Sequence, residues 1–162
     1  MIIISENIII KADVNQIWAF LTDFSKSLNY NRFHTGLELP SKYSLGKMKK
    51  FNINHNFGFG NYNMIAEITE CIPPNYLCIS EYCKGEKTKG FPHSSEFHIA
   101  SQREKSKIFY TVKGTYGGRV QDLSFKTILK GVMIEELLKI KNAIESSDTA
   151  PKPIATESIK PI

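Results

Sequence analysis

The sequence predicts an α+β domain in which a curved antiparallel sheet of about seven strands wraps around a long C-terminal helix. The first observation is the order of apolar patterns along the 162 residues: one strand, two short helices, about six further strands and a final helix. The second is that short turns separate consecutive strands, which favours antiparallel pairing. The third is that each strand has one apolar face, so the sheet has one dry side, and the final helix has enough apolar surface to cover it.

The N-terminal segment predicts a strand followed by a short helix. Residues 2–11 are rich in isoleucine, which is typical of a strand. Asp13 occupies a helix N-cap position and Gln16 follows three residues later, as in a capping box. The apolar positions of a short amphipathic helix follow at helical spacing: Val14, Ile17, Leu21 and Phe24. The polar residues 25–32 predict a second short helical turn.

The middle of the chain, from His34 to Tyr116, has the alternation of strands. It is clearest over residues 49–57, where four alternate side chains share one face: Phe51, Ile53, His55 and Phe57. Glycine-containing turns at residues 58–61 and a charged loop at residues 85–92 separate the later strands. Strand parity therefore places His55 among apolar neighbours on the enclosed face.

The longest periodic segment, residues 119–147, predicts a helix of about 42 Å, long enough to cross the sheet. Its apolar stripe consists of Phe125, Leu129, Met133, Leu137, Ile140 and Ile144, and we expect Ile128 and Val132 to widen it. The domain is thus expected to span residues 1–147. Residues 148–162 contain three prolines and no periodic apolar pattern, which predicts a flexible tail.

Composition and charge argue against several classes of function. The net charge of +5 comes mainly from dispersed lysines, whereas proteins that bind bases and phosphates favour arginine, so we expect no nucleic-acid partner. No apolar run approaches the roughly 20 residues of a membrane span. Three cysteines without a CxxC motif or a secretory signal predict reduced thiols in the cytoplasm. His34, His93 and His98 have no metal-ligand spacing, so we expect no metal and no cofactor.

The candidate binding residues are those that the pattern places on the enclosed side of the sheet and helix. A polar side chain such as His55 needs a partner or a ligand there, and a tyrosine can bury its ring while offering its hydroxyl. The candidate ligand-binding residues are His55, Phe57, Tyr62, Met64, Tyr110, Phe125, Leu129 and Met133. For each of them, ordinary core packing is the alternative. No residue pattern identifies a catalytic group.

Several short motifs occur in the same order as in a known superfamily. They are Ile8–Ile10, Ala12–Asp13, Ile17–Trp18, Leu21, Thr22–Phe24, Gly46, Glu67–Glu70, Pro73–Pro74, Tyr76–Leu77 and Gly114–Thr115. In these residues the chain resembles the START-like superfamily (SRPBCC, the helix-grip fold), which includes polyketide cyclase/dehydrase-like proteins, coenzyme Q-binding proteins and the birch-pollen allergen group. The resemblance covers about residues 2–147, and Tyr30 departs from it where such proteins often carry tryptophan.

The resemblance implies a hydrophobic cavity between sheet and helix, and no shared catalytic set. We therefore expect binding or transport of a small hydrophobic ligand, such as a lipid, a polyketide or an isoprenoid-like molecule. One alternative is a polyketide cyclase/dehydrase-like enzyme in which His55 moves a proton. Another is a protein-interaction module like the helix-grip domains that stimulate chaperones. The oligomeric state stays open at this stage.

Overall fold

The computed structural model describes residues 1–40, 44–86 and 88–147, and the predicted tail at 148–162 lies outside this part of the chain. The described residues form a single antiparallel sheet in the order β1-β7-β6-β5-β4-β3-β2. Its strands are β1 (Ile2–Ile10), β2 (His34–Glu38), β3 (Lys50–Asn56), β4 (Asn61–Ile72), β5 (Tyr76–Cys83), β6 (His93–Gln102) and β7 (Lys105–Gly114). The predicted sheet is confirmed.

The helices are α1 (Val14–Thr22), α2 (Phe24–Ser27), a 3₁₀ turn (Leu28–Tyr30) and α3 (Arg119–Ser147). The predicted capping box at the start of α1 is present. The Asp13 carboxylate accepts hydrogen bonds from the backbone N–H groups of Asn15 and Gln16 at 2.7 and 2.9 Å. In return, the Gln16 side chain accepts one from the Asp13 N–H at 2.9 Å. No helix within the described residues is both long and apolar enough to cross a bilayer.

Most neighbouring strands of the sheet are consecutive in sequence, and one pair of neighbours is not. Strands β2 to β6 each pair with the strand that follows in sequence. Strand β1 pairs instead with β7, and Ile2 lies opposite Gly114. The sheet therefore ends in β1 at one edge and in β2 at the other, and a register shift between His34 and Gly36 interrupts the pairing of β2 with β3.

The core lies between the inner face of the sheet and α3. On β3 the predicted alternation is confirmed, since Phe51, Ile53 and His55 are all buried. On α3 the predicted stripe is buried as well, together with Val132. The expectation for Ile128 is wrong: its side chain is 51% exposed, because the helix turns this position away from the sheet.

Candidate functional site

Five aromatic rings fill the space between the sheet and the N-terminal half of α3. This aromatic cluster consists of Phe33, Phe57, Phe91, Tyr116 and Phe125. Phe125 lies at its centre, with ring centroids 4.3 Å from Tyr116, 5.0 Å from Phe91 and 5.8 Å from Phe33. Stacked and edge-on aromatic pairs at such distances are well packed. The rings therefore occupy the space where the family resemblance implies a cavity.

A small void remains between the helices and the sheet, beside Glu136 of α3. Its volume is about 10 Å³, and it is lined by apolar side chains that include Phe24, Leu77 and Ile140. A volume of this size holds about one water molecule. This void is too small for a lipid or a polyketide.

A larger apolar space opens to solvent where the β3–β4 turn approaches α3. This α3 groove has a volume of about 250 Å³, and its apolar lining is Phe59, Tyr116, Val120, Phe125 and Ile128. Phe59 and Val120 are 73% and 76% exposed, which is unusual for large apolar side chains that lie side by side. A wider groove on the other side of Phe59 is lined by Phe33, Phe57 and Val132 among others.

The structure places the eight candidate ligand-binding residues at different depths. Phe125 lines the α3 groove, and Phe57 lines the wider groove beside it. Tyr62 is partly buried and lies 5.8 Å from Phe57 between ring centroids. The remaining residues belong to the buried interior: His55, Met64, Tyr110, Leu129 and Met133. Each of the two grooves therefore contains one of the eight candidates.

His55 belongs to a group of four polar side chains, the histidine–glutamate cluster of His34, His55, Glu81 and His93. His55 and Glu81 are buried, and His34 and His93 are partly buried. His34 lies opposite His55 across β2 and β3, and Glu81 lies opposite His93 across β5 and β6. The two pairs meet on the inner face of the sheet. The His55 Nε2 atom is 2.9 Å from one Glu81 carboxylate oxygen, and the His93 Nε2 atom is 3.8 Å from the other.

Two of the histidines are anchored to the backbone. The Nδ1 atom of His34 lies 2.6 Å from the Leu28 carbonyl oxygen, and that of His93 lies 2.7 Å from the Phe91 carbonyl oxygen. Because a carbonyl oxygen only accepts, both rings donate through Nδ1 and keep Nε2 as the acceptor nitrogen of the neutral imidazole.

The contact between His55 and Glu81 is short but poorly aligned. In the described part of the chain, neither ring nitrogen of His55 has a hydrogen-bond partner, and the Glu81 Oε2 atom also lacks one. Both side chains are almost fully buried. Buried polar atoms without partners are rare in proteins and indicate strain or a missing ligand.

Burial and charge shift the pKa values of this cluster. Burial lowers the pKa of His34 to about 4, although the nearby Glu81 carboxylate opposes this. Burial also lowers the pKa of His93, so both rings favour the neutral form. For Glu81, burial favours the neutral acid, but the surrounding imidazoles outweigh it and hold its pKa well below the usual range.

A second buried carboxyl group lies deeper, on α3. Glu136 accepts a hydrogen bond of 2.9 Å from the Asn31 side-chain amide and also contacts the Tyr110 hydroxyl. Burial raises the pKa of Glu136 to about 8, although both hydrogen bonds favour the charged form. Burial and the Glu136 charge also raise the pKa of Tyr110 well above its usual value.

Sequence reasoning found His55 and missed its partners. His55 is buried, as strand parity predicts, with an exposed fraction of 1%. Glu81 had a signal of the same kind, because it alternates with the buried Leu77, Ile79 and Cys83 along β5. His34 and His93 gave no such signal, since their approach to Glu81 depends on the register of distant strands.

The sheet order, the terminal helix and the short helices after β1 define a domain with the helix-grip fold. No family model matches the sequence, and no curated protein matches it. Solved structures do match over nearly the whole described chain. One is a conserved protein from Geobacillus kaustophilus, with 21% identity and a TM-score of 0.69, covering 90% of this chain and 97% of that one.

Two further solved structures share this fold. The Aha1 dimer from Colwellia psychrerythraea is 18% identical with a TM-score of 0.59, covering 90% of this chain and 97% of that one. The di-domain ARO/CYC protein StfQ, from the steffimycin biosynthetic pathway, is 12% identical with a TM-score of 0.69. The match covers 91% of this chain and 52% of StfQ. Identities this low establish a shared fold.

Proposed function

We propose that this protein binds a small hydrophobic molecule in the α3 groove, in the reducing environment of the cytosol. The observation that carries this proposal is the mostly apolar groove of about 250 Å³ between the β3–β4 turn and α3. Ligand sites are concave and mostly apolar, with a few polar groups that orient the ligand. Gln121 and Ser124 at the same groove supply such polar groups.

The volume of the groove limits the ligand. Sites for drug-sized molecules begin at about 300 Å³, so the groove suits an aromatic ring system or a short isoprenoid chain. Burial of apolar ligand surface contributes about 25 cal/mol per Å². A longer lipid fits only if the aromatic cluster opens toward the interior.

The depth of the candidate residues gives them different roles in this proposal. Phe125 contacts the ligand from the floor of the groove, and Phe57 contacts it where the wider groove begins. The six deeper candidates reach a ligand after the rings of Phe57 and Phe125 have moved. For these six candidates, ligand contact therefore requires the aromatic cluster to open: His55, Tyr62, Met64, Tyr110, Leu129 and Met133.

A titration with variants tests the groove. The purified protein is titrated with a fluorescent fatty acid, a panel of planar phenols and short isoprenoid alcohols, with calorimetry as the second readout. Phe59→Ser and Val120→Asp should each weaken binding at least about tenfold, because both residues are exposed apolar walls of the groove. Leu138→Ser is the matched control, since Leu138 is exposed on the same helix and does not line the groove.

The proposal fails if no probe binds saturably. It also fails if the two groove variants bind as tightly as the unmodified protein, or if Leu138→Ser weakens binding as much as they do.

A protein-interaction module is the second candidate, and exposed apolar residues along α3 favour it. Val120, Leu123, Ile134 and Leu138 are all exposed. Their spacing places them along one side of the helix, away from the core. The solved Aha1 protein is a dimer, and pairing of two copies through this side of α3 would cover the same residues.

Light scattering during size-exclusion chromatography distinguishes this candidate. If two copies pair through α3, the apparent mass rises with concentration, and Leu123→Lys shifts it back to 18.4 kDa. Glu104→Lys, an exposed change at the far β6–β7 turn, should leave the mass unchanged. A monomer at every concentration would remove self-association as the role of this side of α3.

The cyclase alternative has less support. Its support is the match to StfQ, which is an ARO/CYC protein. The cyclase alternative requires His55 to face an open cavity. His55 is instead enclosed by Phe57, His34 and His93, with ring centroids at 5.0, 4.6 and 6.1 Å. A substrate would reach it only through an opened aromatic cluster.

A further inference from the structure

The histidine–glutamate cluster contains buried polar atoms that the hydrophobic groove does not use. Both ring nitrogens of His55 and one oxygen of Glu81 lack hydrogen-bond partners within the described residues. Their side chains are 1% and 3% exposed, so bulk water does not solvate them. The His55 Nε2 and Glu81 Oε2 atoms contact each other at 2.9 Å without an aligned hydrogen bond, and the His55 Nδ1 atom is left unpaired. A bound group at this place is therefore favourable.

The donor atoms lie at distances that suit one metal ion. His34, His55 and Glu81 each offer a ligand atom, and these atoms all lie within 4.8 Å of one another. Two ligands of a tetrahedral zinc ion are about 3.4 Å apart when each bond is about 2.0–2.1 Å. The His55 Nε2 and Glu81 Oε2 atoms are 2.9 Å apart, somewhat closer than that value.

The anchored rings have the tautomer that metal binding requires. His34 and His93 each donate Nδ1–H to a backbone carbonyl, as metal-ligating histidines commonly do in proteins. This bond fixes the ring and leaves the Nε2 lone pair available.

We propose that His34, His55 and Glu81 form a binding site for one divalent transition-metal ion, with His93 beside it and with Zn²⁺ as the ion that matches the donors. Imidazole nitrogens and a carboxylate oxygen are common zinc ligands, and one further ligand, such as a water molecule, would complete a tetrahedral shell. Phe57 and Phe91 stack on His55 and His93 at 5.0 and 4.7 Å between ring centroids, which keeps the site dry.

The positions of the three ligands give the site a structural role. They come from β2, β3 and β5, so the ion would connect the edge strand β2 to the centre of the sheet. Strand β2 is short and its pairing with β3 is interrupted by a register shift beside His34. The metal therefore stabilises the part of the sheet that has the weakest backbone pairing.

Metal content and metal-dependent stability test the site in the full chain. The protein is stripped with a chelator, dialysed, and titrated with Zn²⁺, followed by elemental analysis after desalting. We expect one Zn²⁺ per chain and a melting temperature that rises with free Zn²⁺ concentration, since the ion binds the folded state. Co²⁺ in the same site should give the intense visible absorption of four-coordinate cobalt.

Variants assign the ligands. His34→Gln and Glu81→Gln should each weaken Zn²⁺ binding at least about tenfold and remove the Co²⁺ absorption. His34 is on the edge strand and partly exposed, so its replacement keeps the test informative if Glu81→Gln does not fold. His98→Gln is the control, because His98 is an exposed histidine on the same strand as His93.

Three results would overturn the proposal: unmodified protein that retains no Zn²⁺ after desalting, ligand variants that bind as well as the unmodified protein, or loss of binding in His98→Gln. In each case the cluster is a buried ion pair between His55 and Glu81. Phe59 and Val120 line the α3 groove and do not belong to the histidine–glutamate cluster. A failure of the metal-binding test can therefore be distinguished from a failure of the ligand-binding test.

Discussion

At the scale of single residues, two glutamates show how neighbours decide the charge of a buried carboxyl group. Glu81 and Glu136 are 3% and 2% exposed. Burial raises the pKa of Glu136 to about 8, whereas the imidazoles around Glu81 reverse the effect of burial and hold its pKa low. Glu136 therefore carries a proton at pH values at which Glu81 is charged.

Glu136→Gln should change how stability depends on pH. Between about pH 5 and pH 8 the folded protein keeps the Glu136 proton, while the unfolded chain, with a pKa near 4.5, has released it. The folded state then binds more protons, so the free energy of unfolding falls as pH rises, by at most about 1.4 kcal/mol per pH unit. Above pH 8 this contribution is flat.

Urea unfolding at several pH values measures the effect. The difference in unfolding free energy between the unmodified protein and Glu136→Gln should shrink or reverse as pH rises from 5 to 8. His34 and His93 titrate in both proteins, so their opposite contribution cancels in the comparison. A difference that is constant across this range would show that Glu136 is already ionised at pH 5.

At the scale of elements, the short helices after β1 depend on local signals and α3 depends on packing. Helix α1 has nine residues, too few to be stable alone, and its capping box satisfies backbone N–H groups at its first turn. Helix α3 has 29 residues with apolar positions on more than one side. Its core-facing stripe was predictable, but the exposed Ile128 was not, because apolar residues continue onto the solvent side.

Asp13→Ala should destabilise the protein by about 0.5–2 kcal/mol, because it leaves N–H groups of α1 without their acceptor. Asp13→Asn should retain most of the stability, since asparagine is an equally good N-cap. Thermal or denaturant unfolding of the two variants gives the comparison. Equal losses in both would mean that the charge of Asp13, and not its capping hydrogen bonds, is what stabilises the domain.

At the scale of the whole molecule, the sequence predicts the architecture better than the interior. Alternation and helical period identify the sheet and the helix because both depend on which residues face inward. The small volume of the void, about 10 Å³, depends on how rings such as Phe91 and Phe125 pack against each other. No local sequence pattern encodes this packing. The histidine–glutamate cluster escaped prediction for a similar reason, because it joins residues 34 and 93 through strand register.

Two adjacent leucines test the packing of α3 on the sheet. Leu137 is 2% exposed and Leu138 is 49% exposed, so the same substitution probes opposite sides of the helix. Leu137→Ala should cost about 2–5 kcal/mol of unfolding free energy, and Leu138→Ala about 0.5 kcal/mol or less. Similar losses for both, measured by denaturant unfolding, would contradict the arrangement of α3 in which one side faces the core.

The position of β1 has a consequence for how the chain folds. Strands β2 to β7 can pair one after another as consecutive hairpins. Strand β1 can pair only after β7 has formed, since residue 2 lies opposite residue 114. Closing a loop of that length has an entropic cost that local hairpins avoid. We therefore expect the first and last strands to pair late in folding, and the amide protons of β1 should exchange with solvent before those of the central hairpins.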